Sequence, residues 1–201
     1  MREAALDFCF SGALACYCDT IKACYCDAIK AISPPAQSSV FVYGTLMAEE
    51  VLSVLLGRVP VMRPAWLVGY ERWFVKDAAF PAILEAEEPS LCSVDGRLLE
   101  GLSARDLRAL DYFEDDRYVR TIVTVTAPAR TGSTAGEAES CRTTAYVWTK
   151  GLGHFVDLGR PWSYEAFRAQ ELTSYLEDPV RTCATEFALE EARGDGSTDR
   201  A

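Results

Sequence analysis

Val40-Phe41-Val42-Tyr43-Gly44-Thr45-Leu46-Met47 is the stretch on which the reading of this chain turns. Apolar, β-branched and aromatic residues in succession favour a short buried strand, and Gly44 then lets the backbone turn and approach a ligand without a Cβ in the way. Ala48-Glu49-Glu50-Val51-Leu52 continues with helical character. A strand, a glycine-bearing turn and a helix start gather unpaired backbone N–H groups around one point, where a carboxylate or a developing oxyanion would sit. The competing reading is an ordinary strand–turn–helix junction that binds nothing.

Outward from that stretch, composition limits the possibilities. A chain of 201 residues carries one core of useful size, and 49% hydrophobic with 25% charged residues is a globular balance. Thirty acidic against 20 basic residues leave a net charge of −10, which disfavours nucleic acid and anionic membrane surfaces as partners. No stretch approaches the roughly 20 apolar residues of a spanning helix, so no membrane partner and a cytoplasmic location are expected. Five of the eight cysteines (Cys9, Cys16, Cys18, Cys24, Cys26) crowd the N-terminal region; Cys92, Cys141 and Cys183 read as reduced thiols.

Residues 15–30 hold a near-exact repeat, Ala-Cys-Tyr-Cys-Asp-Thr-Ile-Lys followed by Ala-Cys-Tyr-Cys-Asp-Ala-Ile-Lys. Two Cys-x-Cys pairs would suit a soft metal or lipidation, and a tandem duplication in a dispensable extension explains them equally well. Pro34-Pro35 and the serines around them read as a linker. Three segments follow: a Cys-rich extension and linker over 1–38, a folded domain over 39–178, and an acidic, polar tail over 179–201.

Within the domain, Val51, Leu52 and Leu55 lie at helical spacing ahead of Gly57. Residues 63–75 suggest strands broken near Gly69, with further strands over 80–84, 93–99, 118–126 and 142–149. Ser103-Ala104-Arg105-Asp106 is a capping box opening a second helix, Ser163 caps a third that runs to about Leu176, and residues 128–140 form a polar loop. Strands outnumber helices, and the helices are inserts rather than regular crossovers. The fold class is therefore α+β, a compact mixed β-barrel or sheet with short flanking helices.

One acid stands out on the second helix. At about 100° per residue from Leu107, Leu110 falls near 300° and Glu114 near 340°, inside the apolar arc, while Asp115 and Asp116 turn outward. Desolvation and the negative end of the helix dipole would both raise the pKa of Glu114, as a general acid or base requires. The alternative is a frayed helix end with Glu114 paired to Arg117 or Arg120; Asp111 is a weaker competitor. His154 lies in a glycine-rich loop without a Ser or Cys partner, no zinc or P-loop spacing occurs outside the Cys repeat, and Trp66, Trp73, Tyr146 and Trp148 read as core.

Phe41-Val42-Tyr43-Gly44-Thr45-Leu46, Gly69-Tyr70, Phe80-Pro81-Ala82-Ile83, Val94-Asp95-Gly96, Leu110-Asp111-Tyr112-Phe113-Glu114 with Tyr118-Val119-Arg120, and Ala145-Tyr146-Val147-Trp148 together resemble, in order, the γ-glutamylcyclotransferase-like family, particularly its avirulence-induced-protein-like branch. The resemblance covers about residues 39–176. It implies a compact barrel, a pocket in which Tyr43, Gly44, Thr45, Leu46 and Tyr118 contact substrate, and Glu114 as the proton shuttle. The implied reaction needs no cofactor: the α-amine of a γ-glutamyl compound attacks its own γ-carbonyl and releases 5-oxoproline. Asp115 departs from the family pattern, in which many members have glycine, and the Cys-rich leader has no counterpart in it.

Three functions compete at this level. The first is a γ-glutamyl cyclotransferase, an acyl-transfer enzyme acting on a small-molecule γ-glutamyl amide or peptide. The second is a non-catalytic small-molecule or protein binding module on the same fold. The third is a thiol metal-binding protein built on the leader. The leaving amine and the oligomeric state are left open.

Overall fold

The computed structural model describes residues 38–129 and 138–195. The Cys-x-Cys repeat, the Pro-Pro linker and the middle of the loop over 128–140 lie outside the described residues.

Strand β1 (Ser38–Val42) is buried on both faces, which explains its unbroken apolar run. Helix α1 (Glu49–Leu56) follows a 3₁₀ turn at Thr45–Met47 and ends where Gly57 takes a left-handed conformation, φ 71°. Strands β2 (Val61–Val68) and β3 (Tyr70–Val75) break at Gly69, φ 87°. Then come β4 (Pro81–Glu85), β5 (Ser93–Leu102) and helix α2 (Ala104–Glu114). The expected capping box is present: the Asp106 N–H donates to Ser103 Oγ at 3.1 Å, and the Ser103 N–H donates to Asp106 Oδ2 at 2.9 Å. Strands β6 (Tyr118–Pro128) and β7 (Ala138–Trp148) take up both ends of the segment read as a loop.

Five strands close a barrel in the order β1-β5-β2-β6-β7, and β4-β3-β8 form a smaller sheet, with β8 spanning Val156–Pro161. Closure is made by the parallel pairing of β1 with β7, where Val40 lies beside Thr144 and Phe41 beside Ala145. Beside this seam the Ser39 hydroxyl donates to Thr143 Oγ1 at 2.9 Å, 104 positions along the chain.

Alternation along β1 divides the core in two. Phe41 and Tyr43 join Leu67, Val94, Leu98, Val123, Val125 and Ala145 in one cluster. Val40 and Val42 join a second, where Tyr146 and Trp148 of β7 meet the apolar faces of the helices. Glycine is required at position 96, where a Cβ would lie 2.3 Å from the Val42 carbonyl and 2.6 Å from the Phe41 ring.

Two expectations are corrected. Residues 179–195 are no tail: α3 (Tyr164–Gln170) and α4 (Leu172–Tyr175) lead through a π turn at Leu176–Val180 into α5 (Arg181–Asp195). Val180 and Phe187 are buried in the helical core, and the Phe187 ring packs on Tyr112 at 5.6 Å. Trp66 is not core either; it stands 41% exposed on the barrel's outer face, because its neighbours Ala65 and Leu67 point inward.

Candidate active site

The turn after β1 is held by Arg72 and by its own hydrogen bonds. Arg72 of β3 donates from Nη1 to the Tyr43 carbonyl at 2.9 Å, and the same guanidinium pairs with Asp95 of β5 through Nη2 at 2.9 Å. Within the turn, the Met47 N–H donates to the Gly44 carbonyl at 3.0 Å and the Ala48 N–H to the Thr45 carbonyl at 3.1 Å. A trans peptide unit points its N–H opposite to its C=O. Fixing the carbonyls of Tyr43, Gly44 and Thr45 therefore aims the N–H groups of Gly44, Thr45 and Leu46 away from those partners. Gly44 has φ −130°, so its need is for space rather than a left-handed turn: a Cβ there would lie 2.8 and 2.9 Å from Pro81 Cγ and Cδ.

Glu114 is the last residue of α2. It retains part of its surface while protein surrounds its carboxylate. Among the described residues, none hydrogen-bonds or ion-pairs with that carboxylate. The alternative pairings are taken up elsewhere: Arg117 binds Asp115 at 2.6 Å, and Arg120 lies 3.4 Å from Asp111. Burial, then the neighbouring Asp115 charge, then Asp111, push the Glu114 carboxyl up to about 8 against the pull of Arg117. Asp111 is also raised, chiefly by burial, but it accepts a 2.8 Å hydrogen bond from the Tyr146 hydroxyl and is thereby engaged.

Four buried tyrosines share the Glu114 neighbourhood, since its charge helps to raise the pKa of Tyr43, Tyr118, Tyr146 and Tyr175 in addition to the larger effect of their burial. Tyr43 donates its hydroxyl proton to the Tyr146 carbonyl at 2.6 Å and Tyr118 donates its own to the Pro81 carbonyl at 2.7 Å. Both stay neutral and serve as walls. The structure thus brings Tyr43, Thr45, Tyr118 and Glu114 together; Leu46 is 2% exposed and packs into the helical core. Tyr175 was missed in the sequence. Its hydroxyl is 3.5 Å from Thr45 Oγ1 and its ring meets Phe113 edge-on at 6.4 Å. The available signal was its place three residues after Leu172, on the same apolar face.

An open groove of about 620 Å³ lies between α1 and α5, lined by Val54, Arg181, Ala184, Thr185, Ala188 and Leu189; Glu114 is not among its walls. Among the described residues no group of three or more His, Cys, Asp or Glu is placed to hold a metal ion, and no helix is long and apolar enough to cross a membrane. His154 lies in the 3₁₀ segment Lys150–Phe155 with its ring on Phe155. Cys92, Cys141 and Cys183 are free thiols.

A closed five-stranded barrel with short helices on its flank is the fold of γ-glutamylcyclotransferase-like proteins. The chain belongs to the family described as gamma-glutamyl cyclotransferase, AIG2-like, which matches residues 40–166. It is 34% identical to AIG2-like protein D of Arabidopsis thaliana over 139 residues, 69% of this chain and 84% of that one. AIG2-like protein C of the same plant is 32% identical over 145 residues, 72% of this chain and 77% of its own. A solution structure of another Arabidopsis thaliana protein superposes with a TM-score of 0.51 at 25% identity, covering 85% of this chain and 93% of that one.

Proposed function

We propose that the protein is a γ-glutamyl cyclotransferase in which Glu114 is the general acid and base. The observation that carries this reading is the lone carboxylate itself: buried among tyrosines, unpaired, held near 8, and close to a turn whose N–H groups are free of the turn's own hydrogen bonds.

The substrate is a γ-glutamyl amide with a free α-amine. As the amine nitrogen bonds to the γ-carbonyl carbon, its proton passes to the Glu114 carboxylate, and the carbonyl oxygen becomes an oxyanion facing the N–H groups of Gly44, Thr45 and Leu46. Collapse of that intermediate breaks the original amide C–N bond. Glu114 returns the proton to the departing amine, leaving 5-oxoproline. Ring closure within one molecule supplies its own proximity, so one acid–base group and a set of amides suffice. Tyr43 and Tyr118 shape the chamber, and Tyr175 borders it.

The test is a panel of glutathione, γ-glutamyl amino acids and γ-glutamyl-lysine amides, with 5-oxoproline followed by mass spectrometry. Turnover of at least one member is expected, reduced about 10²–10⁴-fold in Glu114→Gln with circular dichroism unchanged. Failure of the wild type on the whole panel overturns the proposal.

A further inference from the structure

Asp115, the first residue beyond α2, adopts φ 51° and ψ −158°, a backbone conformation that residues with a side chain seldom take. Glycine would sit there without strain, so the position keeps its aspartate for what the carboxylate does. Both oxygens of that carboxylate bind Arg117, in a pair that is still 43–44% exposed. Oδ1 accepts from the Arg117 backbone N–H at 2.8 Å and from Nε at 2.9 Å, while Oδ2 accepts from Nε at 2.9 Å and lies 2.6 Å from Nη2. The guanidinium is steadied on its other side by the Phe80 ring, 4.7 Å from its centroid.

Glu114 is adjacent. The ionisable groups facing it are Asp111 and Asp115 of α2 and its end, Arg117, Tyr43 after β1, Tyr118 of β6, Tyr146 of β7 and Tyr175 of α4. The cation among them is Arg117. Two ion pairs therefore flank the acid, Asp111 with Arg120 and Asp115 with Arg117, and neither includes it.

We propose that Asp115 is a positioning residue: its carboxylate captures Arg117 and keeps the guanidinium from pairing with Glu114, so that the acid stands without an ionic partner. The strained turn is what directs the Asp115 side chain back onto Arg117. Without that capture, a cation three residues beyond the helix end would neutralise the very group whose proton the reaction moves. The inference rests on the reading of Glu114 as acid and base, and it specifies how that site is regulated.

The experiment is a double-mutant cycle of Asp115→Asn and Arg117→Met in the full chain, read by the ¹³C titration of the Glu114 carboxyl, assigned by its loss in Glu114→Gln. In Asp115→Asn the Glu114 midpoint falls by about 1–3 units, through loss of the adjacent negative charge together with the approach of Arg117, and the second substitution separates the two. Arg117→Met raises it several-fold more in the Asp115→Asn background than in the wild type, because only there does the guanidinium reach Glu114. An unchanged midpoint in Asp115→Asn, or an equal effect of Arg117→Met in both backgrounds, overturns the proposal. Asp115→Gly, which relieves the backbone, repeats the measurement should the asparagine variant fold poorly. The titration needs no substrate, so a wild type that releases no 5-oxoproline refutes the proposed activity while the cycle still decides the role of Asp115.

Discussion

Replacing Glu114 with glutamine keeps the shape of the side chain and removes its charge, and it should make the folded protein more tolerant of alkali. The folded state holds the carboxyl near 8, against an ordinary 4.5, through burial first and the Asp115 charge second. Between those two values the unfolded chain has released a proton that the folded chain retains. Each unit of pH above 4.5 then favours unfolding by about 1.4 kcal/mol, until the folded carboxyl ionises as well. The stabilising contribution of the neutral acid is thus complete below about 4.5 and lost as pH climbs through 8. Fully realised, the difference approaches ~5 kcal/mol; the part of Glu114 that meets solvent reduces this to ~2–5 kcal/mol. Urea titrations of wild type and Glu114→Gln at half-unit intervals from pH 4 to pH 9.5 measure it, and subtracting the two series cancels every other titrating group. The excess stability of the glutamine variant should be near zero at pH 4, climb through the window and level off above 8. A flat difference across that range refutes the reasoning, because an acid without a perturbed pKa cannot link its ionisation to folding.

Other outcomes follow from particular contacts. Gly44→Ala drives a Cβ into the Pro81 ring, which should cost about 1–3 kcal/mol by thermal melting and lower 5-oxoproline release beyond what the loss of folded protein explains. Tyr118→Phe leaves the buried Pro81 carbonyl without its donor, a loss of about 1–3 kcal/mol in denaturant titration. Phe187→Ala should destabilise by ~3 kcal/mol, since α5 contributes to the helical core; a change within error would return that segment to a loose tail. The wild-type kcat/KM should rise with pH through about 8 once the substrate amine's own titration is divided out, following the Glu114 carboxylate that accepts the proton.

Local chemistry made much of the fold legible in advance. The capping box at Ser103, the left-handed Gly57, the break at Gly69 and the phase that carries Glu114 inward are all decided within a few residues. What escaped was decided at a distance. Strand β8 is mostly exposed, so Val156-Asp157-Leu158-Gly159-Arg160-Pro161 has no buried alternation to read, and it exists because β3 offers an edge beside Phe74 and Val75. In α5 and the turn before it the buried Val180 and Phe187 stand seven residues apart among polar residues, and Pro179 imitates a helix stop while sitting inside a π turn. The inward phase of Glu114 was legible; its lack of an ionic partner was not. Arg117 pairs with Asp115 at a turn of positive φ, a conformation that the residue types there do not announce.

The parallel seam between β1 and β7 has a consequence for biogenesis. The peptide turn that would stabilise the oxyanion follows directly on β1, yet β1 finds its last barrel neighbour only when β7 has been synthesised, some hundred residues later. Contacts so remote along the chain form slowly, since a long loop must close before they return any energy. A chain that ends before β7 would therefore leave β1, and the turn that follows it, without the neighbour that closes the barrel.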